Sequence, residues 1–375
     1  MPDGGPFADP GPPRPAGGRR RRPWWRRSGV WGLVCLAATA GCSTGTYYWQ
    51  AVNGHFAIVR RERPIERVMA DPATPPDLRS KLELVLSLRE FAARRLSLPV
   101  DGQYGRYADL GRRFVVWNVH AAPEFSLKAR TWWYPFVGRL KYQGYYSEAG
   151  AQRLAARLRG QGEDVYVGGV EAYSTLGWFK DPVLNTWIHH APADIAETLF
   201  HELAHQRLFI SGDTDFNEAF ATAVSEEGVR RWLSESGRAG ELRQYEEWLS
   251  QEAAFVASVQ EARGRLEALY REAGGGRDEA SGLRAAKARL LAELQAAHAG
   301  LRQRWGGSSP YERWFSQPIN NAQLNTVATY FDLVPGFRRL IDAEKGDLGQ
   351  FFEKVKQLGK LHKEERRRRL LETRG

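Results

Sequence analysis

His201 and His205 stand four residues apart in a stretch that reads as a helix begun by Pro192 or Asp194, and this pair constrains the chain more than any other feature. Spacing of i and i+4 puts both imidazoles on one helix face, about 6 Å apart at their roots, so they are suited to share one divalent ion. Glu202 follows the first histidine, where it reaches water activated by a metal without being a ligand. Two histidines do not complete a site, so another donor has to return from elsewhere. Asn217-Glu218-Ala219-Phe220-Ala221 begins twelve residues after His205 and opens a second helix running through Trp232. The turn-forming loop Ser211-Gly212-Asp213-Thr214-Asp215 sends that helix back antiparallel to the first, and Glu218 then offers a carboxylate as third ligand. Two His and one Glu leave a fourth position for water, the condition for catalysis at a metal. This is the HExxH arrangement of zinc hydrolases. Asp213 and Asp215 either hold a ligand histidine by its other nitrogen or act as turn and capping residues. His189 and His190, just before the motif helix, read as structural or surface groups.

The flanking sequence predicts an α+β chain. Leu84, Leu88, Phe91 and Ala92 give helical spacing within about residues 77–97, ended by Pro99. Residues 113–119 and 132–142 are β-branched and aromatic and read as strands. A helix capped by Ser147 and stopped near Gly160 or Gly162 precedes a strand at about 164–175. The second half carries no strand signal. Residues 241–304 are rich in Ala, Leu, Glu, Arg and Gln, interrupted by Gly274-Gly275-Gly276, and read as an antiparallel helical hairpin. Its Leu and Ala stripe either packs on the body or forms a partner-binding arm. The expected organisation is therefore an N-terminal extension with a signal at 1–41, an α+β part at 42–240, the hairpin at 241–304 and a helical part with a basic tail at 305–375.

Charge explains the two ends separately. The formal net charge is +10, yet residues 1–30 carry seven Arg against two Asp and residues 353–375 carry nine Lys or Arg against four Glu. The body between them is neutral, which argues against a nucleic-acid-binding face. At the N-terminus, Arg19 to Arg22, Arg26 and Arg27 precede the apolar run Val30–Ala40, which leads into Gly41-Cys42. A run of eleven residues is too short for a membrane span, which needs about 20, and it matches a secretory signal with a lipobox. Cys42 becomes the lipidated first residue of the mature protein. Cys35 is removed with the signal, so the mature chain folds without a disulfide. The expected location is the cell envelope, on the periplasmic face of the outer membrane, because Ser43 is not the aspartate that commonly retains lipoproteins at the inner membrane.

At the motif helices the sequence resembles the glutamate-zincin metallopeptidases, whose pattern is HExxH on one helix and Asn-Glu-x-Phe-Ala on the next. More closely, it resembles a bacterial family of putative aminopeptidases that are predicted lipoproteins. The likeness extends through Val115 to Val119, Val165 to Val170, Ala172 to Phe179, Asn320-Asn321-Ala322 and Tyr330 through Pro335. The resemblance implies a zincin-like fold with one Zn²⁺ on His201, His205 and Glu218, a catalytic Glu202 and a peptide substrate. The spacing to Glu218 is shorter than in the well-known aminopeptidases. By the same resemblance Tyr330 donates its hydroxyl to the developing oxyanion, or else packs in the core. Glu171, after Gly168-Gly169-Val170, sits where the zinc aminopeptidases place a glutamate that binds the substrate's free amine, or else is a solvent-facing strand residue. A different class of function fits the same residues: a catalytically silent zincin-like lipoprotein that uses the hairpin to bind an envelope partner.

Overall fold

A computed structural model describes residues 42–134, 138–172, 180–272 and 277–372. The signal segment, the end of the strand expected at 164–175 and the Gly274–Gly276 turn lie outside them. The chain divides into two units, Met1–Trp49 and Gln50–Gly375. The site belongs to the second.

In chain order the elements are α1 (Cys42–Val59), β1 (Arg63–Pro64), α2 (Ile65–Ala70), α3 (Pro76–Arg95), β2 (Arg106–Ala108), β3 (Val116–Pro123), β4 (Trp132–Tyr134), β5 (Gly138–Leu140), β6 (Gln143–Tyr145), α4 (Glu148–Gly160), β7 (Glu163–Val170) and β8 (Val183–Leu184). Helices α5 (Pro192–Arg207), α6 (Thr214–Glu235), α7 (Ala239–Glu272), α8 (Arg277–Arg304), α9 (Glu312–Phe315), α10 (Asn321–Phe331), α11 (Val334–Ala343), α12 (Leu348–Gly359) and α13 (Lys363–Glu372) follow. This is an α+β fold, and no strand follows β8 among the described residues, as the composition of the second half predicts. No helix among the described residues is long and apolar enough to cross a membrane.

The sheet that matters for the site has the order β6-β3-β7. β3 pairs antiparallel with β7 from Val116 opposite Val170 to Pro123 opposite Glu163. It therefore extends beyond the expected 113–119, because the long partner strand carries even the weak strand formers Ala121 and Ala122 into the ladder. The expected strand at 132–142 is instead two short ones, β4 and β5, paired to each other. Successive residues of a strand face opposite sides. Val119, Ala121 and Val165 accordingly pack on Ala151, Leu154, Ala155 and Leu158 of α4. Ser147 caps that helix, its Oγ accepting from the Gly150 N–H at 3.4 Å. The intervening His120 and Tyr166 come off the other side of the sheet and lie together, ring centres 6.1 Å apart.

Helix α10 is fixed to this sheet by its first residues. Asn321 Nδ2 donates to the carbonyls of Pro123, Glu124 and Ser126 at 2.9–3.2 Å, and Asn320 Nδ2 donates to Val165 O. Most of α6 is buried, from Thr214 through Trp232 and Leu233. It lies against α5, α10 and α11. A helix buried over most of its length, as here, belongs at the centre of a core, and its buried polar residues need partners there. Phe216, Phe220, Phe337 and Phe351 meet there, with rings 5.0–6.5 Å apart. The stripe of the α7–α8 hairpin is occupied by the body: Phe255, Val259, Leu266, Leu290 and Leu294 share a cluster with Ile319, Leu324 and Val327.

Candidate metal centre

Pro192 at the first turn of α5 has no N–H to leave unsatisfied, and Asp194 in that turn suits the positive end of the helix dipole. The helix then carries His201 and His205 one turn apart on the side facing α6. Its end at Arg207 and the start of α6 at Thr214 leave a short loop. Asn217 pins that loop, accepting from Ile210 N–H and donating to Ile210 O, both at 2.8 Å. One residue later Glu218 points back at the histidines.

The three ligand atoms form a triangle. His201 Nε2 and His205 Nε2 are 3.1 Å apart, and Glu218 Oε2 is 3.4 and 3.5 Å from them. Zinc bonds of about 2.0–2.1 Å at tetrahedral angles put neighbouring ligand atoms about 3.3 Å apart. The donor set therefore fits a tetrahedral ion without rearrangement, and two histidines with one carboxylate is a zinc-type set. Burial opposes a charge on Glu218, but His205 and His201 outweigh it and hold the carboxyl down at about 2. The opposite holds for Glu202. Its burial, with Glu218 and Asp181 adding repulsion against the attraction of His201, pushes the carboxyl up to about 8. Its Oε2 is shut off from solvent without a hydrogen-bond partner among the described residues.

Tyr330 closes the group from α10. The charge of Glu218, then burial, Tyr142 and Glu202, raise its pKa well above the usual phenol value. Tyr142 stands 5.7 Å from the ring of His120, and burial lowers the pKa of His120 to about 4, so that imidazole is neutral at working pH. Neither residue is singled out by the sequence, since only the pairing of β3 with β6 brings them together. Asp181, buried near Glu202, is likewise unmarked.

Other expected residues take different places. Glu171 stands just past β7, its carboxylate 3.3 Å from His190 Nε2 instead of facing solvent alone, and it is not in the ligand triangle. Asp213 and Asp215 do not hold the histidines. Asp213 is bound by Arg366 and Lys363, and Asp215 by Lys141. The Nδ1 of His205 is buried without a hydrogen-bond partner among the described residues. Nor does Asp213 make a side-chain cap for α6. Asp213 instead anchors cations of the C-terminal segment to the loop before α6, and Asp215 anchors Lys141 to the first turn of α6. Glu226 and Glu227, further along α6, pair with Arg338 and Arg231 and stay out of the site. Cys42 opens α1.

No curated protein and no solved structure matches the chain. A family model described as "Putative aminopeptidase" matches residues 46–370, which span both site helices, the sheet and α10. On that match the chain belongs to this aminopeptidase family.

Proposed function

We propose that the protein is a zinc-dependent peptidase that removes amino-terminal residues from peptides, built on a zincin-like pair of helices. The observation that carries this reading is the triangle of His201, His205 and Glu218, with edges of 3.1–3.5 Å. A bound zinc ion supplies Lewis acidity, acidifying water and polarising the scissile carbonyl. His201, His205 and Glu218 hold it. Glu202 takes the proton of the attacking water and returns it to the leaving amine. The unpartnered Oε2 of that side chain leaves an acceptor position open for the water. Tyr330 donates its hydroxyl to the developing oxyanion. Glu171 binds the free α-ammonium, with His190 beside it.

Metal analysis and kinetics on two variants test this. Glu218→Ala should lose most of the zinc, whereas Glu202→Gln should keep it and lose hydrolysis. Full zinc in Glu218→Ala would refute the ligand set, and full activity in Glu202→Gln would favour a silent lipoprotein with adventitious hydrolysis. Equal cleavage of N-acetylated and free-amine peptides would reject the aminopeptidase assignment and leave a zinc peptidase.

The same proposal places the enzyme at the cell envelope, attached through lipidated Cys42. Val52, Phe56 and Val59 of α1, spaced at i, i+4 and i+7, are exposed apolar residues on one face. Such a face suits a segment close to lipid.

A further inference from the structure

The reading above leaves unused a cavity of about 430 Å³. Loop residues 125–128, which follow β3, form one wall, and Arg263, Glu267, Tyr270 and Arg271 on α7 form the other. With Lys128 the lining carries three cations against one carboxylate, in a chain whose body is otherwise neutral. Neighbouring cations with structural work are paired: Arg265 with Glu293 at 2.6 Å, Arg284 with both oxygens of Glu124 at 2.6 and 2.9 Å, and Lys287 with Asp164 at 2.6 Å. Arg263 differs. Its Nε is buried without a hydrogen-bond partner among the described residues. Burial weakens its hold on its proton, and the carboxylates of Asp332, Glu267 and Asp215 restore part of it, without replacing a direct partner. A half-buried guanidinium with an unsatisfied Nε–H beside a polar cavity is costly unless an anion completes it.

Helix α7, which carries one wall of the cavity, lies against α10. Tyr270 donates its hydroxyl to Asn321 Oδ1 at 2.9 Å, at the start of that helix. Arg263 feels Asp332, which caps the end carrying Tyr330, and Asp215, one turn before Glu218.

We propose that this cavity is a carboxylate subsite, in which Arg263, assisted by Lys128 and Arg271, binds a carboxylate of a short peptide whose amino end lies at the metal centre. The inference rests on the peptidase reading and adds a substrate class to it: short peptides held by an anionic group beyond the scissile bond. Arginine suits this because its planar fork pairs with both oxygens of a carboxylate.

Calorimetric titration of the zinc-loaded Glu202→Gln variant with tetra-alanine, its C-terminal amide and the amide of Ala-Ala-Ala-Glu tests the subsite without turnover. Tetra-alanine should bind about tenfold tighter than its amide. Arg263→Gln on the same background should abolish that preference and leave the Kd of the amide unchanged, and Arg263→Lys should recover part of it. If the glutamyl amide binds as well as the free acid, the pocket takes acidic side chains; if it binds as weakly as the plain amide, it takes the terminal carboxylate. Equal affinity for all three, or no binding of any, overturns the proposal. The two readings fail separately: acid preference without hydrolysis by the native protein keeps the subsite and sinks the peptidase, and equal kcat/KM for acid and amide does the reverse.

Discussion

Arg366 reaches across 153 residues of sequence to the loop between the metal-site helices, and its removal offers the sharpest test of how that loop is held. Its Nε and Nη2 donate to Asp213 Oδ2 at 3.1 and 2.9 Å, and its Nη1 donates to the carbonyls of Gly359 and Leu361 at 3.0 and 2.6 Å. The guanidinium also lies 5.5 Å from the ring centre of Phe216. Side-chain exposure is only 8% for Arg366 and 5% for Asp213, so the pair counts as buried. Deleting one partner of a buried pair costs about 3–5 kcal/mol, because the other charge is left desolvated. Lys363 remains 3.0 Å from Asp213 Oδ1, which puts Arg366→Met near the lower end, about 3 kcal/mol. At about 2.1 cal/mol/K per residue, a unit the size of Gln50–Gly375 has an unfolding entropy near 0.7 kcal/mol/K, so Tm should fall by about 4–5 °C. Thermal unfolding followed by circular dichroism measures it. Lys363→Met, deleting a much more exposed charge, should cost under about 1 kcal/mol. A Tm for Arg366→Met within about 1 °C of the native protein would refute the claim that the basic tail is bolted to the metal loop.

Glu252 should make stability fall with pH. Burial, with Glu226 adding to it and Arg338 opposing, pushes its carboxyl to about 8, so the folded protein holds a proton that the unfolded chain releases. The contribution is complete below about pH 4.5 and is lost as pH rises to about 8, at most about 5 kcal/mol in all. Denaturant midpoints at pH 5.5 and 8.5 should differ less in Glu252→Gln, and an unchanged difference would contradict this. Gly228→Ala places a Cβ 2.7 Å from Phe200 and 2.8 Å from Leu96. Overpacking of about 1–3 kcal/mol should exceed the gain of about 1 kcal/mol in helix propensity, and a more stable variant would mean that α5 and α6 have room to separate. Cys42→Ala should release the protein from membranes or leave its precursor uncleaved, as fractionation and mass measurement would show; normal processing with unchanged membrane association would sink the lipid anchor.

What the sequence made legible is local. Helical spacing at His201 and His205 and the turn-forming loop at 211–215 were enough to place Glu218 near the histidines, because every step is short in sequence. Long-range pairing was not legible. β1 and β8 are two residues long, too short for any period to register, and exist only through their pairing with β2. His120 and Tyr142 carry no motif, and their proximity follows from β3 and β6 lying side by side. The two aspartates of the loop looked like partners for a histidine because the sequence shows their distance to His205 and hides their distance to Arg366 and Lys141. The C-terminal charge excess has the same explanation, since Arg366, Arg367 and Lys363 meet Asp213 and Asp332 in the fold.

The opposite shifts of Glu202 and Glu218 bear on the roles proposed for them, independently of the motif. Both carboxyls are buried, so desolvation alone would raise both. Glu218 escapes because two imidazoles lie within 3.5 Å of one oxygen, and a group that stays anionic there serves as a ligand. At Glu202 burial and the charges of Glu218 and Asp181 outweigh the attraction of His201, so its proton affinity rises towards neutrality. A proton acceptor works best with a pKa near the operating pH, whereas a ligand must not compete for protons at all. Two glutamates sixteen residues apart in sequence are thus driven in opposite directions by which face of a helix each occupies. That division of labour is what a hydrolytic metal site requires of its carboxylates. It predicts that exchanging the charge environment, as in Asp181→Asn, should lower the pKa governing the acid limb of kcat/KM while leaving zinc content unchanged; an unmoved limb would show that Asp181 does not tune Glu202.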